Sequence, residues 1–273
     1  MTVLVQSTTQ LLLGANFGDA GEVERLLNVL ESERNAPPTH WGAARGLRDP
    51  YDRDAILNAI KNAAAEGMTP SIKRSKKPFR YAITWYGGEH VQSLLSLNLI
   101  LSDGAESADM PAWLSLIDRI AAAFVVDYGH VDLFLANQSP TTRMSRDGSY
   151  DHLGYYWRFG LPTLFARNYF GPRLLEIAPE LDPTVKTLGL PHALLPSGSL
   201  RVDLLAEPWT ADPAQLKDAQ SRIHSVLSTA TGLFARDDHG SWEALPGRRW
   251  QSPTDEAFDK LRNRLRLSGE ISG

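Results

Sequence analysis

The chain has 273 residues, 42% of them hydrophobic and 22% charged, a balance that supports a buried core of ordinary globular size. Its 28 basic and 32 acidic residues leave a formal charge of −4, too mild to point to nucleic acid and tilted toward a basic partner. The absence of cysteine excludes disulfide staples, thiolate catalysis and cysteine metal sites, and is compatible with a reducing compartment.

Residues Met1 to Asp19 carry no basic stretch ahead of a long apolar run, so a signal peptide is not expected. The longest apolar candidate, Leu94 to Leu101, is interrupted by Ser96 and Asn98 and falls short of the ~18 residues a bilayer requires. A membrane role is not expected, and the expected location is cytoplasmic.

In chain order, Leu11 to Phe17 reads as a short buried strand. Asp19 and Glu22 then have capping-box spacing, and Val23, Leu26, Leu27 and Leu30 follow at helical period until Pro37 and Pro38 end the helix. A second helix is predicted from about Asp52 to Glu66, closed by Gly67. Phe79 to Tyr86 and the alternating Leu95, Leu97, Leu99 and Leu101 predict two strands, joined by a hairpin at Tyr86 to Glu89. Met110 to Val126 predicts a helix with Pro111 in its first turn, followed by a strand with Val131, Leu133 and Leu135 on one face.

Asn137 to Tyr150 reads as a polar loop, and an aromatic segment runs from Tyr155 to Pro172. There Gly171 suits a turn and Pro172 the first position of a short helix. Leu194 to Leu200 has the composition of a hairpin turn feeding a strand with Leu200, Val202 and Leu204 on one face. A helix from Asp212 to Thr231 is striped by Leu216, Ile223, Val226 and Leu227, and a last helix opens near Ser252. Strands and helices do not alternate strictly. An α+β fold, with mixed or antiparallel sheets packed with helices, is therefore expected. Residues 1–273 read as one compact domain, with two sub-layers over approximately 1–136 and 137–273 as its natural subdivision.

Motifs that carry chemistry are missing. The seven histidines are all at least ten residues apart, so neither H-x-x-x-H nor H-x-H occurs, and each is expected on the surface or hydrogen-bonded in the core. Gly14, Gly18 and Gly21 sit between a strand and a helix but at the wrong spacing for a phosphate loop. Asp19 would oppose a phosphate there, so a capped turn is the expected reading. G-x-S-x-G is absent. The acidic pairs Asp52 and Asp54, Asp147 and Asp151, and Asp237 and Asp238 are expected to be caps, turns and solvated faces. The basic clusters Lys73 to Lys77 and Lys260 to Arg266 lack interleaved aromatics and read as solvated, the first as polar punctuation before a strand. Most aromatics of the central segment belong in a core. Trp41, Trp209, Trp242 and Trp250 lie in turn-rich surroundings suited to binding anchors. No cofactor, no metal and no catalytic residue are expected.

Three stretches together resemble a known family. They are Tyr128-Gly129-His130, the run from Trp157 to Pro172 containing Gly160-Leu161-Pro162 and Asn168-Tyr169-Phe170-Gly171-Pro172, and the Leu195 to Leu200 hairpin. They resemble the immunity protein 52 family and related type VI secretion immunity families, over less than a third of the chain. The resemblance implies an immunity protein of a bacterial polymorphic toxin system. Such a protein binds a cognate secreted toxin, here one with a restriction-endonuclease-like nuclease domain, and protects the producing cell as a non-enzymatic inhibitor. The family has no catalytic residues to carry over.

A nuclease site binds polyanions and is basic, so its inhibitor gains from acidic groups around aromatic anchors. The candidates for partner binding are Asp103, Glu106 and Asp109 after the alternating strand, and Asp237, Asp238, Trp242 and Glu243 near the C-terminus. Two other readings remain open at this point: a metal-dependent hydrolase whose site assembles only in the tertiary fold, and an adaptor of a secretion apparatus.

Overall fold

The computed structural model describes residues 4–33, 36–43, 47–63, 70–76, 80–86, 93–100, 109–135, 161, 164–211, 213–234, 236–238 and 241–243. The chain opens with β1 (Leu4–Leu13), α1 (Ala20–Glu31), β2 (His40–Ala43), β3 (Asp49–Pro50) and α2 (Arg53–Ala63). It continues through β4 (Pro70–Arg74), β5 (Arg80–Tyr86), β6 (Ser93–Ile100), α3 (Asp109–Ala123) and β7 (Val126–Leu135). After β8 (Arg167–Phe170) come α4 (Pro172–Ile177), α5 (Leu181–Thr187), β9 (His192–Leu194), β10 (Leu200–Asp203), α6 (Pro213–Thr231), β11 (Arg236–Asp238) and β12 (Ser241–Glu243).

Ten strands form one sheet in the order β3-β2-β4-β5-β6-β1-β7-β8-β10-β9, every neighbouring pair antiparallel, and β11 pairs with β12 in a second, two-stranded sheet. The fold is α+β, as its non-alternating order of elements predicts. β7 and β8, on either side of residue 136, are neighbours in the large sheet. Both edges of that sheet are short, and prolines (Pro50 in β3, Pro191 and Pro196 flanking β9) limit their exposure to further pairing.

β1 lies inside this sheet between β6 and β7, and it begins seven residues earlier than the apolar run suggests. Its middle, Gln6 to Gln10, is polar, so hydrophobicity alone locates only Leu11 to Leu13 at its end. Phe17 is past the strand but still buried, meeting Trp85 at 6.3 Å and the edge of Phe124 at 5.5 Å.

The period-two pattern divides the sheet into two faces. Thr9, Leu11, Ile83, Trp85, Leu95, Leu97 and Val131 share one, to judge from their register. Helices α1 to α3 cover it: Trp113 of α3 packs on Tyr81, and Val23, Leu26, Leu27 and Leu30 of α1 are fully buried. Tyr128, His130, Phe170, Leu200 and Val202 share the opposite face, where Phe165 stacks on His130. α6 approaches through this segment, with Gln220 Nε2 donating to the Leu164 carbonyl at 2.5 Å.

Several local expectations are corrected. Lys73 and Arg74 are strand residues within β4, and Arg74 donates to the Pro37 carbonyl at 2.8 Å. Trp41 lies in β2, and Trp41 and Trp209 both pack against the core, because a turn-rich neighbourhood does not keep a large ring in solvent. On α6, Val226 is exposed and Ala219 takes a place in the buried stripe. Gly171 has φ −73°, so no left-handed turn requires it there. It is small because an added Cβ would stand 2.1 Å from the Val126 carbonyl oxygen. The segment Tyr155 to Gly160 and the helix near Ser252 lie outside the described residues.

Candidate functional site

The seven partner-binding candidates are distributed as follows. Asp103 and Glu106 lie outside the described residues. Asp109 is the first residue of α3. Asp237 and Asp238 are on β11, and Trp242 and Glu243 on β12. The register sets Asp237 opposite Trp242, Asp238 opposite Ser241 and Arg236 opposite Glu243. Four candidates are thus gathered on one antiparallel hairpin, while Asp109 belongs to the helical layer over the large sheet.

The hairpin has a firm root. α6 ends at Thr231, Gly232 turns the chain with φ +61°, and Leu233 and Phe234 are then fully buried. Leu161 N–H donates to the Leu233 carbonyl at 2.8 Å, Leu161 bridges to Phe234, and the His224 ring meets Phe234 edge-on at 4.8 Å. β11 begins two residues after this anchor.

A second polar constellation joins β8, β10 and α3. Arg167 Nε donates to Asp203 Oδ1 at 2.5 Å and its Nη2 to Asp203 Oδ2 at 3.2 Å. Its Nη1 reaches Asp118 Oδ2 at 3.2 Å and the Leu114 carbonyl at 3.3 Å. Asp118 also accepts from the Tyr169 hydroxyl at 2.8 Å and from Arg201 at 2.7 Å. Burial pushes the Asp203 carboxyl above its usual range, opposed by its bonds to Arg167. Burial, and then the Asp118 charge, push the Tyr169 hydroxyl far up. Two arginines facing two aspartates leave little net charge to offer a ligand, and the cluster ties α3 to the sheet.

The third constellation surrounds His130 on the opposite face. The imidazole is 2% exposed and stacks on Phe165 at 3.7 Å, with 12° between the ring planes. Burial pushes it down to about 3, so it is neutral at physiological pH. Gln10 stands opposite it on β1 and Asn168 on β8. Asp132, two residues along β7, is also buried.

Among the described residues no group of three His, Asp or Glu is placed to hold a metal ion. His40 bonds to Thr39, His192 to the Leu190 carbonyl and His224 to Ser228. His90, His152 and His239 lie outside the described residues, as do Asp147, Asp151, Trp250 and the basic run from Lys260. Asp52 caps α2 by accepting from Ala55 N–H at 3.0 Å. The turn before α1 spends its amides internally: Gly18 N–H goes to Asn16 Oδ1 at 2.9 Å and Gly21 N–H to Asp19 Oδ1 at 2.6 Å. No helix among the described residues is long and apolar enough to cross a membrane.

Sequence reading missed the Arg167 cluster and the His130 environment. The only local signals were His130 and Asp132 two apart in an alternating strand, and Arg167 and Asp203 in strands whose pairing is not written in either segment.

No family model matches the chain. No curated protein matches it. Among solved structures, it is similar to a T6SS protein from Pseudomonas aeruginosa, with a TM-score of 0.49 and 13% identity over 99% of this chain and 87% of that one.

Proposed function

We propose that this protein is a cytoplasmic immunity protein that binds and neutralises a cognate secreted toxin of a bacterial competition system, a nuclease effector, as a stoichiometric inhibitor and not as an enzyme. The observation that carries the reading is the hairpin register. It aligns Asp237 and Asp238 with Trp242 and Ser241 on a short two-stranded unit rooted in the core by Phe234. Asp237 is the one candidate carboxylate residue that the register sets opposite Trp242, and an aromatic paired with a carboxylate suits a basic, phosphate-binding surface: the ring supplies buried area, and the charge supplies orientation and association rate. The Gly160-Leu161-Pro162 and Asn168 to Pro172 stretches support the family resemblance from a separate part of the chain. Asn168, Tyr169 and Phe170 are all buried, which fits a scaffold role for that motif.

The test is co-expression with a candidate nuclease toxin drawn from its neighbouring genes. The expected result is restored growth and a stable complex whose nuclease activity is lost. Continued killing in the presence of well-expressed, folded protein would overturn the proposal. Restored growth without a complex would point instead to an enzyme acting on the toxin or its product.

A further inference from the structure

On the face of the ten-stranded sheet that carries Phe165, Gln10 Oε1 and His130 Nδ1 are withdrawn from solvent and have no hydrogen-bond partner among the described residues; Ser7 Oγ, Thr9 Oγ1 and Trp85 Nε1 share that condition on the other face. Gln10 and His130 stand directly opposite each other in the β1–β7 ladder. Opposed Cβ atoms in such a pair lie about 4.5–5.5 Å apart, so the two side chains share one small volume on the face that carries Phe165. The next strand does not satisfy them. Asn168, opposite His130 on β8, spends its amide oxygen on the Phe165 N–H at 2.9 Å and its NH2 on the Phe165 carbonyl at 2.8 Å. Phe165 itself covers one side of the imidazole.

Buried polar atoms in native interiors are nearly always paired, and where two converge without a protein partner the pairing is made by an ordered water. We propose that Gln10 and His130 hold one internal water molecule between β1 and β7, which donates to Gln10 Oε1 and hydrogen-bonds His130 Nδ1. The site takes a neutral guest. Its walls include the Phe165 ring, and the burial that keeps the imidazole uncharged equally disfavours an ionic occupant. Gln10 is only half-buried whereas His130 is almost fully enclosed, so exchange with bulk solvent runs past the glutamine.

The experiment is water-selective NMR on the full-length, isotope-labelled protein. The expected result is a cross-peak between a long-lived water and both the His130 Hε1 proton and the Gln10 side-chain amide. The His130 peak should disappear in Gln10→Met, and the Gln10 peak in His130→Phe, which keeps a ring to stack on Phe165. The two variants are read separately, so failure of one to fold leaves the other. Absence of any water cross-peak in the wild-type protein would overturn the proposal. So would a through-bond coupling from His130 Nδ1–H directly to the Gln10 carbonyl.

Discussion

Arg167 on β8 grips Asp203 on β10 through two side-by-side hydrogen bonds, at 2.5 and 3.2 Å, from register-paired positions on adjacent strands. Both side chains are almost completely buried, with side-chain exposures of 8% and 4%. A buried pair of this kind gives little net stability over an apolar replacement, but losing one partner strands the other charge in the core. Arg167→Met and Asp203→Leu are each expected to cost about 3–5 kcal/mol in chemical denaturation. The double variant should lose clearly less than the sum, and additive losses would show that the two residues act independently.

Gly171 is placed to be intolerant of any side chain. Its missing Cβ would meet the Val126 carbonyl oxygen at 2.1 Å and Asp127 backbone atoms at 2.8 Å, none of which can swing away. Gly171→Ala is therefore expected to destabilise by about 1–3 kcal/mol, the usual range for forced overpacking. Gly14→Ala is the control, because its nearest contact would be 3.5 Å. A midpoint shift of similar size in both would refute the close-approach explanation.

The pH dependence of stability has a definite sign at His130. The folded protein keeps this ring neutral, pushed down to about 3 by burial, with Gln10 and Asn168 flanking it and Asp132 further along its own strand. The unfolded chain takes up a proton near pH 6.5. Below that value the unfolded state binds the extra proton, so stability falls as pH drops from about 6.5 toward 3, by up to about 1.4 kcal/mol per unit from this group. Denaturation midpoints at pH 7, 6 and 5 should show this slope in the wild-type protein and a shallower one in His130→Phe. Equal slopes would contradict a neutral buried imidazole.

If the β11–β12 hairpin meets a basic toxin surface, the paired reversal Asp237→Lys/Asp238→Lys should slow association and flatten its salt dependence, with at least a tenfold loss in affinity, about 1.4 kcal/mol. Trp242→Ala should act mainly on dissociation, as the loss of a buried aromatic anchor does. Surface-binding kinetics against the purified toxin separate the two effects. Unchanged kinetics in both variants would move the interface elsewhere.

How much of this was readable in the amino-acid order depends on the reach of each interaction. Local signals sufficed where the cause is local. Asp19 caps α1 because its carboxylate lies two residues from the amide it accepts, and Pro172 starts α4 because its ring presets the first helical turn. Leu195 to Leu200 makes a hairpin turn because Gly198 tolerates φ +83°. The alternation of Leu95 and Leu97 named a buried face, and the non-alternating order of elements named the α+β class. At the hairpin, the amino-acid order names Asp237, Asp238, Trp242 and Glu243, and the β11–β12 register alone sets Asp237 opposite Trp242.

Tertiary structure alone decided what depends on pairing between distant segments. The polar middle of β1 is held as a strand because β6 and β7 supply hydrogen bonds to both of its edges, and without apolar alternation over Gln6 to Gln10 the β propensity of Thr8 and Thr9 alone does not announce it. Arg167 finds Asp203 thirty-six residues away, and Gln10 comes to face His130 across a ladder that joins the two ends of a long excursion. Gly171 reads as a turn glycine until the Val126 backbone is laid against it. Sequence fixes which groups are present and how the chain bends over a few residues. Which groups meet is set by the register of the assembled sheet, a property of the whole chain that no single segment carries.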